Sequence, residues 1–356
     1  MLMMKRAMKG LDQAEEKTDA SDFTTTWNEI RDQIVSQKIR SDKSEMWVNL
    51  IKNFPSSSSL NKQKNDLLKP GRSLGYNFLA KKHESFRLRL TKVYLRLVFV
   101  TSMSLRYLSH RLWSLIVNQT RFDNLSTYPM FHIALRETGF SKPYQRFCQE
   151  LGISPDSWST IKPFYVSSLL LQGLSEPQKK SILEIGGGTG NLATVLNKRL
   201  PVSRYVIVDL PEMILYSSLT VRHFFPEKPI YFSHSFSGPK ILLPEEGFLF
   251  VFPDDIDRLP ENSFDFSLNI DSFQEMTERQ VRGYIALIQR TTRDGGFFLN
   301  INRRKTVGSY DNNPLTYPYD HHNEVIRWEA DPFMSRTFLQ QRRDPHILRQ
   351  ERVKKM

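Results

Sequence analysis

Ser181-Ile-Leu-Glu-Ile-Gly-Gly-Gly-Thr-Gly-Asn191 is an apolar strand that ends on an acid and runs into a glycine-rich turn. Gly186, Gly188 and Gly190 read G-x-G-x-G, and Asn191 stands where the dinucleotide pattern G-x-G-x-x-G wants its third glycine. Glu184 lies two residues before the first glycine. A carboxylate there would face a pyrophosphate badly but would suit a ligand carrying an ammonium and a sulfonium. Glycines also serve a ligand-free strand-to-helix turn, because they relieve positive φ, so the turn has to be read with its surroundings.

A doubly wound fold presents a second acid to a ribose about 20 residues after the glycine turn. Asp209 stands there, closing the run Tyr205-Val-Ile-Val-Asp209, and Leu210-Pro211-Glu212 open a helix with proline near its start and a carboxylate in its first turn. Aspartate at a strand end is by itself an ordinary helix cap; the spacing from Gly190 supplies the ligand role. A third strand, Phe248-Leu-Phe-Val-Phe-Pro-Asp-Asp255, ends in carboxylates that could accept from an adenine amino group, Asp255 in preference to Asp254. With Asp257 beside them, these acids also read as a solvated loop. The ligand matching ammonium, sulfonium, ribose and adenine together is S-adenosylmethionine.

Over residues 179 to 302 the chain resembles the class I S-adenosylmethionine-dependent methyltransferases, on Glu184, the glycines, Asp209 and Asp255 in that order. Asn269-Ile-Asp-Ser-Phe-Gln-Glu-Met276 and Pro318-Tyr-Asp-His-His-Asn-Glu-Val-Ile-Arg327 resemble, more narrowly, a bacterial family of sugar O-methyltransferases found with surface-polysaccharide genes. The resemblance implies a Rossmann-like sheet, mostly parallel with an antiparallel strand at the carboxy-terminal edge. It also implies methylation of a hydroxyl on a sugar or glycan, nucleotide- or lipid-linked. Residues 179–356 are the expected catalytic domain, 121–178 a helical cap over the acceptor pocket and 1–120 a basic helical extension. Pro163 to Leu174 is read as a helix, and Met334 to Leu339 and His346 to Val353 as strands closing the sheet. The polar, aromatic stretch 312–333 is read as an acceptor loop, long enough to be functional.

O-methylation needs an acceptor oxygen in line with the methyl and sulfonium, within about 3 to 3.5 Å, and a base for its proton. His321, His322, Glu275 and Asp271 are the candidates, since imidazole titrates near neutrality and a buried carboxylate can be tuned upward. Glu275 reads equally as a helix-start carboxylate and the histidine pair as a solvated turn. Asp271, Asp320, His321 and Glu324 are an alternative set for a divalent metal, without compact ligand spacing. Gln274, Tyr317, Tyr319, Asn323 and Arg327 are the residues expected to read sugar hydroxyls, guided by the family.

The 356 residues carry a formal charge of +12 with 39% hydrophobic and 12% aromatic residues, enough for a globular core. One cysteine, Cys148, excludes an internal disulfide framework and suits a reducing cytoplasm, as does a start lacking a signal's apolar core. Residues 51 to 121 hold 14 Lys and Arg against Asp66 and Glu84. Arginines interrupt the apolar run from Phe86 to Val117 well short of the roughly 18 residues a spanning helix needs. The basic segment 62–121 reads as a packed helix with snorkelling arginines or, second, as a surface meeting anionic lipid. Phe54-Pro-Ser-Ser-Ser-Ser-Leu60 reads as a linker.

Three rival functions fit less well. A nucleic-acid methyltransferase would suit the basic charge, but its usual Asn/Asp-Pro-Pro-aromatic signature is replaced by Asn269-Ile-Asp-Ser-Phe273. A non-catalytic scaffold predicts no heat of S-adenosylmethionine binding. A nicotinamide enzyme would want a Tyr-x-x-x-Lys pair that is not suitably placed.

Overall fold

The computed structural model describes residues 134–151, 158–172, 179–304, 313–334 and 345–355. The expected extension 1–120, its linker, the segment 62–121 and residues 335–339 of an expected strand lie outside them.

The described chain runs α1 (Ser141–Leu151), α2 (Trp158–Leu171), β1 (Lys180–Ile185), α3 (Asn191–Arg199), β2 (Val202–Val208), α4 (Pro211–Phe224), β3 (Ile230–Phe232), β4 (Gly247–Val251), β5 (Phe264–Ile270), α5 (Glu278–Thr291), β6 (Thr292–Arg303), β7 (Glu324–Ala330) and β8 (His346–Arg352). The strands form one sheet in the order β3-β4-β2-β1-β5-β6-β8-β7. All neighbours are parallel except that β8 is antiparallel to both β6 and β7. The mostly parallel Rossmann-like sheet with an antiparallel strand near its carboxy-terminal edge is therefore present. From β1 the chain winds outward through β2, then returns to β5 on the other side of β1. That reversal opens a crevice beyond the carboxyl ends of the strands, where open α/β sheets bind ligands.

Alternation along the strands separates two cores. Ile182, Tyr205, Ile207, Phe248, Phe250, Leu268, Leu299, Ile301 and Leu348 face one side, under α1, α2 and α3. Leu183, Ile185, Val206, Val208, Leu249, Val251 and Phe298 face the other, under α5. Strands buried on both faces read as continuous apolar runs, which is why β1, β2 and β4 are legible in sequence. Helix ends follow local rules: α4 starts on Pro211 with Glu212 behind it, and α5 carries a capping box in which the Gln280 backbone N–H donates to Thr277 and the Thr277 N–H to the Gln280 side chain.

Two expectations change. The edge strand β7 lies inside the stretch read as an acceptor loop; Glu324-Val-Ile-Arg-Trp-Glu-Ala330 is largely exposed and its register slips between Val325 and Arg327, so no alternation marks it. The helix expected over Pro163 to Leu174 begins instead at Trp158, with Pro163 inside it. It shares the sheet's core through Phe164, Tyr165 and Leu169. Arg199, at the end of α3, donates to the Phe164 carbonyl at 2.9 Å and lies 3.8 Å from the Phe164 ring centre, tying α2 to the glycine-turn helix. Cys148 is buried in α1.

Gly186 has φ 79, and a Cβ there would overlap the Ser272 side chain; Gly188 has φ 54 with open space beside it. Gly186→Ala should therefore cost about 2–4 kcal/mol and Gly188→Ala about 1. Urea unfolding of the two variants measures the difference, and equal losses would show that the close approach of Ser272 is unimportant.

Candidate functional site

The carboxyl ends of β1, β2 and β5 bring together residues far apart in sequence. Glu184, on β1, is 3% exposed and accepts a hydrogen bond from the Tyr205 hydroxyl at 2.9 Å. Burial pushes its carboxyl up to about 8, more than the tyrosine lowers it. Asp209, just past β2, accepts from the backbone N–H of Gly188 at 2.7 Å and of Leu210 at 2.7 Å. Its two oxygens thus hold the glycine turn and the start of α4 in register with each other. Burial nevertheless lifts Asp209 to about 7. Gly190 has φ 78 and lies against the Ser217 backbone, which brings α3 close to α4.

The structure separates Asp254 from Asp255. Asp255 accepts from Ser233 and pairs with Arg258 at 2.8 Å, so both of its oxygens are engaged in fastening the loop after β4. Asp254 is exposed, and its charge and that of Asp209 both bear on Tyr284 of α5. Of the two acids, Asp254 is the one left available to a ligand.

Asp271, the first residue past β5, has φ 60, a left-handed conformation unusual for a side chain larger than glycine. Its carboxylate pairs with Lys162 from α2 and with His346 Nε2 from β8 at 2.9 Å. These partners hold it ionised, well below the usual carboxylate range, although burial works in the opposite direction. His346 is fully buried, and burial lowers its pKa despite Asp271. Glu275, on the short 3-10 helix Phe273–Glu275, is different: burial, then repulsion from Asp271 and Asp209, raises it to about 7. Two carboxylates one turn apart are thereby driven to opposite protonation behaviour, the pattern that assigns acid–base roles.

Sequence reasoning missed Lys162 and His346, because a lysine on an apolar helix and a histidine opening a strand carry no local signal. It also missed a buried ladder of amides. Asn302 donates to Asn269 at 2.7 Å and to Asn300 at 2.6 Å, Asn269 donates to the Ile185 carbonyl at 2.9 Å, and Asn300 donates to the Tyr319 hydroxyl at 2.7 Å. Gln274 closes the ladder: its N–H donates to Asn302 at 3.0 Å and its side-chain oxygen accepts from the Arg303 N–H at 2.9 Å. Fully paired buried amides of this kind fix geometry, and here they fix the 3-10 helix carrying Glu275.

Other predicted residues are not brought to this edge. His321 and His322 are exposed and precede β7, whose Glu324 pairs with Arg352 while Ala330 pairs with Ile347 next to His346. The length of β7, about 20 Å at 3.3 Å per residue, separates the histidines from Asp271. Asp320, His321 and His322 cluster with ligand atoms within 4.8 Å, but Asp271 is not with them, so the four-residue metal set does not assemble. Asn323 is buried and bonds Gln289 and Glu351, each at 3.0 Å. Arg327 donates to Gln172 at 3.0 Å. Tyr319 lies under the Arg349 guanidinium at 4.1 Å, and Tyr317 packs edge-on against Phe273, its hydroxyl without a hydrogen-bond partner among the described residues. Gln274 alone of the expected substrate readers stands beside Glu275. Replacing His321 and His322 together by alanine should leave turnover within about twofold; a loss beyond tenfold in a methyl-transfer assay would restore the histidine-base reading.

Among the described residues no helix is long and apolar enough to cross a membrane. No family profile matches the chain, and no curated protein does. Solved structures do align with it. Geranyl diphosphate C-methyltransferase from Streptomyces coelicolor A3(2), with Mg2+, geranyl diphosphate and S-adenosyl-L-homocysteine, is 12% identical over 53% of this chain and 77% of its own, TM-score 0.39. Phosphoethanolamine N-methyltransferase 2 of Haemonchus contortus, with phosphomonomethylethanolamine and S-adenosylhomocysteine, is 13% identical over 63% and 60%, TM-score 0.37. The [4+2]-cyclase SpnF is 13% identical over 53% and 80%, TM-score 0.35. A cyclase stands among them, and at such identities the reaction of this chain has to be argued from its own residues.

Proposed function

We propose that this chain transfers the methyl group of S-adenosylmethionine to a hydroxyl of a sugar. The observation that carries the methyl donor is Glu184: a carboxylate buried beside the glycine turn, hydrogen-bonded by the neutral Tyr205 hydroxyl, while Lys162, the cation whose charge reaches it, is paired with Asp271. A cationic amino-acid ligand supplies a positive partner, and burial makes that attraction strong. In this reading Glu184 and the glycines Gly186, Gly188 and Gly190 hold the methionine end, Asp209 takes the ribose hydroxyls, and Asp254 in place of Asp255 takes the adenine. The donor, when bound, brings the reactive methyl; the chain contributes orientation and a proton acceptor.

Glu275 is the base in this proposal. Its carboxyl, lifted to about 7, is basic enough near neutrality to accept the hydroxyl proton as the oxygen takes the methyl. Asp271, held ionised by Lys162 and His346, positions the loop between β5 and the 3-10 helix and does not take the proton. A sugar acceptor is supported by the likeness of Asn269 to Met276, the stretch that carries Asp271, Gln274 and Glu275. Methyl-transfer assays against nucleotide sugars and lipid-linked glycans, read by a mass shift of one methyl, test it. No heat of S-adenosylmethionine binding in calorimetry would overturn the whole reading.

A further inference from the structure

We propose that Arg303 makes the acceptor pocket selective for a hydroxyl compound that also carries a carboxylate or a phosphate, an inference that rests on the methyltransfer reading of this site. Arg303 ends β6 directly opposite His346 of β8. Ile301 faces the side covered by α2, so Arg303, two residues on, leaves the sheet on that same side. Lys162 reaches the same place from α2.

The basic side chains here are not equivalent. Lys162 and His346 are both engaged by Asp271. The Arg303 backbone N–H donates to Gln274, but its side-chain Nε is buried without a hydrogen-bond partner among the described residues. Glu275 is close enough to feel the Arg303 charge without hydrogen-bonding it. A guanidinium offers five donors in a planar fork, and a buried donor left unmade is costly. The fork matches two oxygens of a carboxylate or phosphate, and an acceptor bearing such a group would satisfy Arg303 while presenting a neighbouring hydroxyl to Glu275. A neutral sugar offers only weaker, single acceptors.

A simpler role is that Arg303 only balances the charge of Glu275. Calorimetry on the full chain, with and without S-adenosylhomocysteine, separates the two, using glucose, glucuronate and pyrophosphate as probes. At least one anion is expected to bind at least about tenfold more tightly than glucose, glucuronate identifying a carboxylate and pyrophosphate a phosphate as the preferred group. Arg303→Gln should weaken that anion about tenfold or more, Arg303→Lys by less, and Arg304→Gln, which removes an exposed charge next door, should leave it unchanged. Equal binding of glucose, no binding of either anion, or equal weakening by Arg304→Gln overturns the proposal. A charge-balancing role alone would leave anion affinity intact in Arg303→Gln and shift the pH profile of turnover upward. If S-adenosylhomocysteine itself gives no heat, the methyltransfer reading fails, while the cofactor-free titrations still decide whether Arg303 binds anions.

Discussion

Glu275→Gln is expected to lower kcat by about 10²- to 10³-fold while leaving donor affinity unchanged within about twofold. The amide keeps the shape of the side chain on its 3-10 helix and removes only the capacity to accept a proton. The wild-type pH dependence has a definite sign. Glu275 is lifted to about 7, so the reactive carboxylate is the minor form at pH 6 and the major form at pH 8. Turnover should rise about tenfold per pH unit below 7 and level above it. The Gln variant should lose that rise. A wild-type profile flat from pH 5.5 to 8.5, or a variant of normal kcat, removes Glu275 as the base.

Asp209→Ala is expected to weaken S-adenosylmethionine binding by about 10²-fold or more, measured by calorimetry. Two effects combine: the ribose loses its acceptor, and the N–H groups of Gly188 and Leu210 lose the carboxylate that ties the glycine turn to α4. Asp209→Asn separates them, since the amide oxygen can still accept from one N–H. An unchanged Kd in Asp209→Ala would mean that the donor site is misread.

The same buried acids make donor binding pH-dependent. Glu184 and Asp209, raised to about 8 and about 7, are largely protonated in the empty site at pH 6. Folded carboxyls with raised pKa hold protons that the unfolded chain has released above its ordinary values near 4. Their contribution to stability is therefore complete below about pH 4 and is lost as pH rises through 7 to 8. A cationic donor reverses this by favouring the ionised Glu184. Binding should release a proton near pH 7, detectable as a buffer-dependent calorimetric enthalpy, and affinity should rise between pH 6 and 8. Asp271 works in the opposite sense: paired with Lys162 and His346, it stabilises the fold at neutral pH and loses that contribution as acid protonates it.

The residues proposed to hold the donor could be picked out in the sequence because they are local. Glu184, the glycines and Asp209 occur where a strand turns into a helix, and the geometry of that turn restricts which residue types can stand there. Spacing alone could not rank Asp254 against Asp255. That distinction depends on Ser233, which reaches Asp255 from the loop after β3, and on Arg258, one turn further along the same short 3-10 helix. The histidine pair was attractive by residue type, yet β7 carries it to the amino-terminal end of the parallel strands.

What the sequence determined by itself is the run of buried strands and the acids at their ends, because apolar runs, glycine conformations and acid spacing act within one or two turns of chain. What only the tertiary structure decided is how those acids ionise. Asp271 is held charged by Lys162 and His346 against the effect of burial, and Glu275 is driven toward neutrality by burial and by repulsion from Asp271 and Asp209, against the pull of Arg303 and Lys162. Lys162, His346, Asp209 and Arg303 all come from elements distant in sequence. Electrostatics depends on distance in space and on exclusion of water, and neither is written into the order of residues.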